Sequence, residues 1–191
     1  MSSVPLLFEI ERDLIESNTG KERYVPFLVA EAQRLEKAGV DFLVMPCNSL
    51  HVFIDEIRKA VNIPMLSIVE ETITYLKNNG LSKVGLISTS ATVANNVYET
   101  KLLEASIDFV APNDLQKAKM DKIIQRLIEG QHLNKDREDI LEVAHDLVDQ
   151  DVDCIALACT DLQLLLPSSE KVPIFDTMKI LADATVREIT K

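Results

Sequence analysis

The stretch "VDFLVMPCNSL", Val40 to Leu50, decides the fold, because the chain contains a second version of it. "VDCIALACTDL", Val152 to Leu162, aligns with it without a gap 112 positions later, and four of the eleven positions are identical. Each stretch is a short apolar run that ends in a cysteine and continues into polar residues. Such runs are typical of buried parallel strands. The repetition predicts two related units, each with a cysteine at a strand end.

The surroundings of the two stretches repeat as well. Each stretch lies between two segments whose apolar residues recur at helical spacing. Each copy then reaches an apolar residue and a proline that open a further strand, "IPMLSI" from Ile63 and "VPIFDT" from Val172. These matches on both sides indicate an internal duplication of an α/β unit.

Strands alternate with helices along the chain, which predicts an α/β fold with parallel sheets covered by helices. The predicted strands cover residues 40–46, 63–69, 83–89, 107–112, 152–158 and 172–176. The predicted helices cover residues 23–39, 48–61, 70–80, 91–105, 114–130, 136–150 and 177–191, with a short helix after residue 161. Ligands of such folds bind outside the carboxyl ends of the strands, where we expect the cysteines to lie.

Composition excludes several classes of function. The 191 residues fit one domain or two small lobes. A net charge of −11 disfavours a nucleic-acid partner and still permits a small anionic substrate. No apolar run approaches the roughly 18–20 residues of a membrane span, and the first residues lack the pattern of a secretory signal. We therefore expect a cytoplasmic protein with no membrane partner, whose three cysteines stay reduced.

Cys47 and Cys159 are candidates for an acid–base pair. Two units packed around a pseudo-twofold axis place these thiols on opposite walls of a cleft. Each thiol precedes a helix, and a helix N-terminus favours negative charge and lowers the pKa of a thiol. One thiolate can then remove a proton from a carbon while the other thiol donates one from the opposite side. That exchange inverts a stereocentre.

Structural and metal-binding roles are the alternatives for these cysteines. An unpaired cysteine is usually a small buried hydrophobe, and Cys154 fits that role because strand alternation turns it to the other face. Cys47 and Cys159 differ, because polar residues follow both directly. A metal site is disfavoured, since the chain has no Cys-x-x-Cys pair and three histidines.

The motifs "MPCNSLH" and "ACTDL", with "IPMLSIVEET", "KVGLISTSAT" and "VPIFDT", resemble the aspartate/glutamate racemase family over nearly the whole chain. The resemblance implies cofactor-independent racemisation of an acidic amino acid in a cleft between two pseudo-symmetric α/β lobes. We expect residues 1–78 with 178–191 to form the first lobe and residues 79–177 the second. The family's opening strand and glycine-rich loop are absent from this sequence, so the first lobe is expected to be shortened at its N-terminus.

The resemblance also implies roles for individual residues. Cys47 and Cys159 match the catalytic thiols. The positions that match substrate-binding residues are Arg12, Asn48, Ser49, Thr89, Thr92 and Thr160, and His51 and Asp161 match supporting positions. A helix N-cap is an equally good explanation for each hydroxyl residue. A solvated surface position is the alternative for Arg12, whose guanidinium otherwise suits the distal carboxylate. For His51 we favour orientation of the loop over proton transfer.

Several choices stay open. Asp161 and Ser49 replace the usual Glu and Thr of the family, and Lys135 and Arg126 are further candidates for the distal carboxylate. We expect aspartate rather than glutamate as the substrate. The alternatives are a related isomerase or decarboxylase of the same superfold, such as a maleate-type isomerase, and an amino-acid-binding protein with a degenerate site. A missing central strand exposes a sheet edge, which favours a homodimer.

Overall fold

The computed structural model describes residues 21–131, 133–166 and 172–191. Its α-helices are α1 (Lys21–Lys37), α2 (Ile54–Ala60), α3 (Ile68–Asn78), α4 (Ser90–Ala94), α5 (Glu99–Glu104), α6 (Asp114–Ile128), α7 (Asn134–Val148) and α8 (Thr177–Ile189). Its strands are β1 (Leu43–Val44), β2 (Met65–Leu66), β3 (Lys83–Ser88), β4 (Asp108–Val110), β5 (Cys154–Ala158) and β6 (Ile174–Asp176). Short 3₁₀ helices cover Ser49–Phe53 and Leu162–Leu164.

The strands form two parallel sheets. Four strands pair in the order β4-β3-β5-β6, and β1 pairs with β2. In the larger sheet Ser88, the last residue of β3, lies opposite Ala158, the last residue of β5. The ends of the two central strands are therefore level, and the residues that follow them emerge side by side. The predicted α/β fold with parallel sheets flanked by helices is confirmed.

Apolar clusters cover both faces of the larger sheet, as expected for parallel strands between helices. Ile155 and Leu157 of β5 pack on one face with α6 and α7. Cys154 and Ala156 pack on the opposite face with α3 and α5. The thiol of Cys154 is fully buried there, which confirms its predicted place in the core.

The smaller sheet has its own apolar cluster. Tyr24 and Leu28 of α1 pack on Leu43, Met65 and the helix that follows the first cysteine stretch. The C-terminal helix α8 packs against α3. The assignment of residues 1–78 with 178–191 to one lobe, and of 79–177 to the other, stays a prediction.

Two glycines end helices as the sequence predicts. Gly39 and Gly80 follow α1 and α3 with φ of 83° and 67°, a conformation that glycine adopts at little cost. The predicted single helix over 91–105 is wrong, because the chain forms α4 and α5 instead. Asn96 between them has a φ of 49°, in the left-handed region that asparagine tolerates. No helix of the described residues is long and apolar enough to cross a bilayer.

Candidate active site

Four chain segments meet at the carboxyl ends of the strands. Cys47 lies three residues after β1, and Cys159 directly follows β5. Thr89 directly follows β3, and Thr177 directly follows β6. Side chains that follow strands of both sheets form hydrogen bonds with each other here. The location agrees with the rule that ligands of parallel α/β sheets bind beyond the carboxyl ends.

Three of the predicted hydroxyl residues form one cluster. Ser49 Oγ lies 3.2 Å from Thr89 Oγ1 and 3.2 Å from Thr92 Oγ1. The two threonine oxygens lie 2.9 Å apart. Ser49 belongs to the first cysteine stretch and the threonines to the turn after β3, so the cluster joins the two halves of the chain. A hydroxyl can donate or accept, and three converging hydroxyls can therefore reorient toward a carboxylate.

Thr89 is also a helix cap. Its Oγ1 accepts a 3.1 Å hydrogen bond from the backbone N–H of Thr92 at the start of α4. The cap role is therefore observed, and it leaves a second acceptor position on the oxygen. The substrate-binding role of Thr89 stays a prediction. Thr92 makes its contacts while fully buried.

The side chain of Asn48 is enclosed. It is 2% exposed, and its Oδ1 accepts a 2.6 Å hydrogen bond from the phenol of Tyr98. Its Nδ2 donates to Thr177 Oγ1 at 3.3 Å. Sequence reasoning missed both partners. Thr177 carried a usable signal, since it closes the repeated "VPIFDT" motif, whereas nothing near Tyr98 in the sequence marks it.

The thiol of Cys159 is 5% exposed and belongs to an apolar cluster with Leu162 and Leu166. Burial, with a smaller contribution from the negative charges of Asp161 and Cys47, raises its pKa to about 12. The backbone N–H groups of Asp161 and Leu162 act in the opposite direction. These N–H groups lower the pKa as expected at the start of a helix, but desolvation of a thiolate outweighs them, so the net pKa is raised rather than lowered. Cys159 is a neutral thiol at physiological pH.

The second thiol is nearby. Cys47 is half-buried, and its charge reaches Cys159 strongly enough to raise the pKa of that thiol. All three cysteines of the chain are outside disulfides. The two residues are therefore close enough to interact electrostatically, and they differ in exposure.

The imidazole of His51 connects the Cys47 loop to α3. Its Nδ1 lies 2.6 Å from the carbonyl oxygen of Cys47 and donates to it. Its Nε2 accepts a 3.1 Å hydrogen bond from the backbone N–H of Ile68. These two bonds assign the neutral Nδ1–H tautomer. Burial lowers the pKa of His51 to about 4, which is consistent with that state. The geometry suits a residue that orients the loop.

The remaining candidates lie in different surroundings. Thr160 and Asp161 are half-buried beside Cys159, and burial raises the pKa of the Asp161 carboxyl. Arg12 lies outside the described residues. Arg126 forms an ion pair with the buried Asp136 and so has a structural partner, whereas Lys135 is exposed. In residues 21–131, 133–166 and 172–191, no group of three His, Cys, Asp or Glu side chains is placed to hold a metal ion.

Comparison with known proteins gives a consistent family. The family model described as Asp/Glu/hydantoin racemase matches residues 11–185. The chain is 32% identical over 160 residues to the broad specificity amino-acid racemase RacX of Bacillus subtilis, covering 83% of this chain and 69% of that protein. It is 27% identical over 171 residues to the glutamate racemase of Aquifex pyrophilus, covering 85% of this chain and 64% of that protein.

Solved structures agree. The Picrophilus torridus aspartate racemase superposes with a TM-score of 0.77 and 26% identity, over 97% of this chain and 75% of that one. The Aquifex pyrophilus glutamate racemase superposes with a TM-score of 0.62 and 21% identity, over 89% of this chain and 68% of that one. The chain thus spans about two thirds to three quarters of these relatives.

Proposed function

The chain belongs to the Asp/Glu/hydantoin racemase family, and we propose that it racemises an acidic amino acid, aspartate in preference to glutamate, with Cys47 and Cys159 as the two bases. The family, and with it the class of amino-acid racemase, was predicted from the motifs and is confirmed. The cysteine mechanism and the substrate are the new parts of the proposal.

The observation that carries the mechanism is the proximity of two thiols that each follow a strand, one from each sheet. Burial keeps Cys159 protonated, so the pair holds a proton donor on the wall of the second sheet. Cys47, half-exposed on the other wall, then acts as the base when it is ionised. A two-base inversion requires a proton acceptor and a proton donor on opposite sides of a carbon, and the two groups exchange these roles in the reverse direction.

The proton transfer proceeds as follows. The Cys47 thiolate takes the α-proton, the C–H bond breaks, and its electron pair enters a carbanion that the α-carboxylate stabilises. The Cys159 S–H bond then breaks as that proton moves to the opposite face of the carbon. The product is the other enantiomer, with Cys47 as a thiol and Cys159 as a thiolate. The reverse reaction begins from this second state, so each direction uses both sulfurs.

The carbanion needs fixed hydrogen-bond donors, because an α-hydrogen of an amino acid is a very weak acid. The hydroxyl cluster of Ser49, Thr89 and Thr92 is our candidate for part of this task, at the ends of strands from both sheets. A preorganised donor contributes about 3 kcal/mol to such a transition state. Arg12 remains our proposed partner for the distal carboxylate, with Thr160 beside Cys159 as a further contact.

The preference for aspartate is supported by one solved structure. The aspartate racemase of Picrophilus torridus superposes with a TM-score of 0.77 at 26% identity. By sequence, the relatives include a broad specificity racemase and a glutamate racemase. A substrate panel therefore has to include neutral and basic amino acids as well as the two acidic ones.

Deuterium incorporation tests the proposal. The protein is incubated in deuterated water with each enantiomer of aspartate, glutamate, alanine and lysine, and loss of the Cα proton signal is followed by NMR. We expect exchange and inversion from both enantiomers, fastest with aspartate. Exchange confined to neutral or basic amino acids contradicts the acidic substrate. No exchange with any of them, combined with calorimetric binding of aspartate, supports a binding protein instead.

A homodimer is also part of the proposal. Among the described residues β1 pairs with β2 alone, which leaves its other edge available for a second chain. Light scattering coupled to size exclusion measures the mass directly. A mass of one chain at micromolar concentration contradicts this assembly.

A further inference from the structure

Two hydrogen bonds connect Asn48, the residue after Cys47, to the backbone of Leu157, two residues before Cys159. Asn48, directly after Cys47, donates from Nδ2 to Thr177 Oγ1 at 3.3 Å. The hydroxyl of Thr177 donates at 2.8 Å to the carbonyl oxygen of Leu157, two residues before Cys159. Tyr98 closes the arrangement from a third side, through its 2.6 Å bond to Asn48 Oδ1.

We propose that Tyr98 and Thr177 are positioning residues that fix the separation of Cys47 and Cys159 by locking the amide of Asn48. This inference rests on the proposed two-thiol racemisation. It assigns a role to two residues outside the cysteine stretches, and it gives Asn48 a reason to be buried. We call the set of Asn48, Tyr98, Thr177 and the Leu157 carbonyl the amide lock.

The polarity of the amide lock is consistent throughout. A carbonyl accepts and cannot donate, so Leu157 requires the proton of the Thr177 hydroxyl. Oγ1 of Thr177 is then left to accept from Asn48 Nδ2, and Asn48 Oδ1 is left to accept from Tyr98. Each group has one role that its neighbours dictate, so the amide has a single favoured orientation. The alternative bond from Thr177 to Asn48 Oδ1, at 3.4 Å, is the longer contact.

The amide lock is also protected from water. Tyr98, Thr177 and Asn48 are between 0% and 2% exposed. Burial raises the pKa of Tyr98, so its phenol stays a neutral donor at physiological pH. Hydrogen bonds in such surroundings are electrostatically stronger than in water, and an unmade one is costly. The amide lock therefore resists the exchange with solvent that loosens surface contacts.

Its position explains why it matters for the reaction. The lock holds the chain directly beside Cys47 and two residues from Cys159. The strands that precede these two cysteines, β1 and β5, belong to different sheets. Two sulfurs that must reach opposite faces of one carbon tolerate little change in their spacing. A displacement of about 1 Å at a reacting centre lowers the rate by about 100-fold.

Kinetics of Tyr98→Phe and Thr177→Val test the proposal. Each variant removes one hydroxyl and keeps the shape of the side chain. We expect kcat to fall about 10- to 100-fold in both directions with KM changed less than about twofold, because the sulfurs are misplaced while the carboxylate contacts persist. Thr177→Ser restores the hydroxyl, and we expect it to recover most of the lost kcat.

Matched controls are a second threonine of α8 and a second tyrosine. Thr185→Val removes a hydroxyl that donates to the Leu181 carbonyl within α8. Tyr75→Phe removes a phenol from α3, where the ring packs edge-to-face against Phe175. Both controls should keep kcat close to that of the unmodified protein. Equal losses in the controls, or an unchanged kcat in Tyr98→Phe and Thr177→Val, would overturn the positioning role.

The two proposals fail in different ways. An unmodified protein that exchanges no Cα proton removes the racemase proposal, and the positioning role with it. An active unmodified protein whose lock variants are equally active removes the positioning role alone. If Thr177→Val is impaired and Thr177→Ser does not recover activity, the lock is also contradicted. Serine keeps the hydroxyl and can make the same hydrogen bonds as Thr177.

Discussion

Nε2 of His51 accepts a 3.1 Å hydrogen bond from the backbone N–H of Ile68, and this bond attaches the Cys47 loop to the first turn of α3. The other ring nitrogen donates to the Cys47 carbonyl oxygen. One neutral imidazole thus satisfies a helix N-terminal N–H and a loop carbonyl at once. Protonation of Nε2 would turn this acceptor into a donor facing an N–H group.

His51→Gln therefore removes an acid sensitivity of the fold. The pKa of His51 is lowered to about 4 from the ordinary 6.5. The unfolded chain binds a proton below about pH 6.5 while the folded chain resists it, so stability is full above that pH and falls toward pH 4. Urea unfolding across this window should show a smaller loss in His51→Gln. The control His145→Gln changes an exposed side chain of α7 and should keep the full loss. Identical pH dependence in both variants contradicts the prediction.

We expect replacement of either Cys47 or Cys159 to abolish two-way racemisation. In Cys47→Ala and Cys159→Ala one of the two proton carriers is missing, and loss of a general base or acid costs about 100- to 10,000-fold. The measurement is optical rotation or chiral chromatography from each pure enantiomer. Cys154→Ala is the matched control, because that thiol is fully buried on the opposite face of β5. Full turnover in either cleft variant rules out the two-base mechanism.

The sequence predicts the thiol pair because its two cysteine stretches align with each other. Two aligned strands that end in cysteine place both sulfurs at equivalent strand ends, and the parallel-sheet rule brings those ends together. Local patterns do not predict the amide lock. Tyr98 lies 50 residues from Asn48, and its contact depends on a break between α4 and α5 that helical periodicity did not indicate.

The local sequence does not predict the protonation state of Cys159 either. Its neighbours suggest a helix N-terminus and a lowered pKa. The following helix is only the short 3₁₀ segment Leu162–Leu164, and the thiol is packed among leucines that fold back over it. Desolvation depends on this tertiary packing, which the local sequence does not specify.

Because two thiols are buried, we expect the free energy of unfolding to decrease at alkaline pH. The pKa of Cys154 and of Cys159 is raised to about 12 by burial. Between about pH 9 and pH 12 the unfolded chain releases these protons while the folded chain retains them, so stability declines as the pH rises. In Cys154→Ala/Cys159→Ala the decline of the unfolding free energy between about pH 8 and pH 10.5 should shrink. An unchanged slope in the double variant contradicts the buried-thiol explanation.

Arg126→Met separates stability from substrate binding. Arg126 pairs with Asp136, whose side chain is 1% exposed and also accepts from the Leu133 N–H at 2.8 Å. Removal of the guanidinium takes away one charged partner of a buried carboxylate, so we expect a lower free energy of unfolding. We expect KM to stay unchanged, because the ion pair already occupies this arginine. Lys135→Met, on the exposed surface of α7, should change neither quantity. A large rise of KM in Arg126→Met would instead place this residue at the distal carboxylate.

Thr92→Val tests the hydroxyl cluster as the site of the α-carboxylate. The change keeps the branched shape and removes an oxygen that lies 3.2 Å from Ser49 Oγ and 2.9 Å from Thr89 Oγ1. We expect kcat/KM for aspartate to fall about 100-fold, because a donor to the developing carbanion is worth about 3 kcal/mol. Thr185→Val is the control, since that half-buried hydroxyl donates to the Leu181 carbonyl within α8. Thr92→Ser retains the hydroxyl and should recover most of the activity. Suppose that Thr92→Val keeps the original kcat/KM while Thr92→Val and Thr92→Ser have similar melting temperatures. The hydroxyl then serves packing, and the carboxylate binds elsewhere.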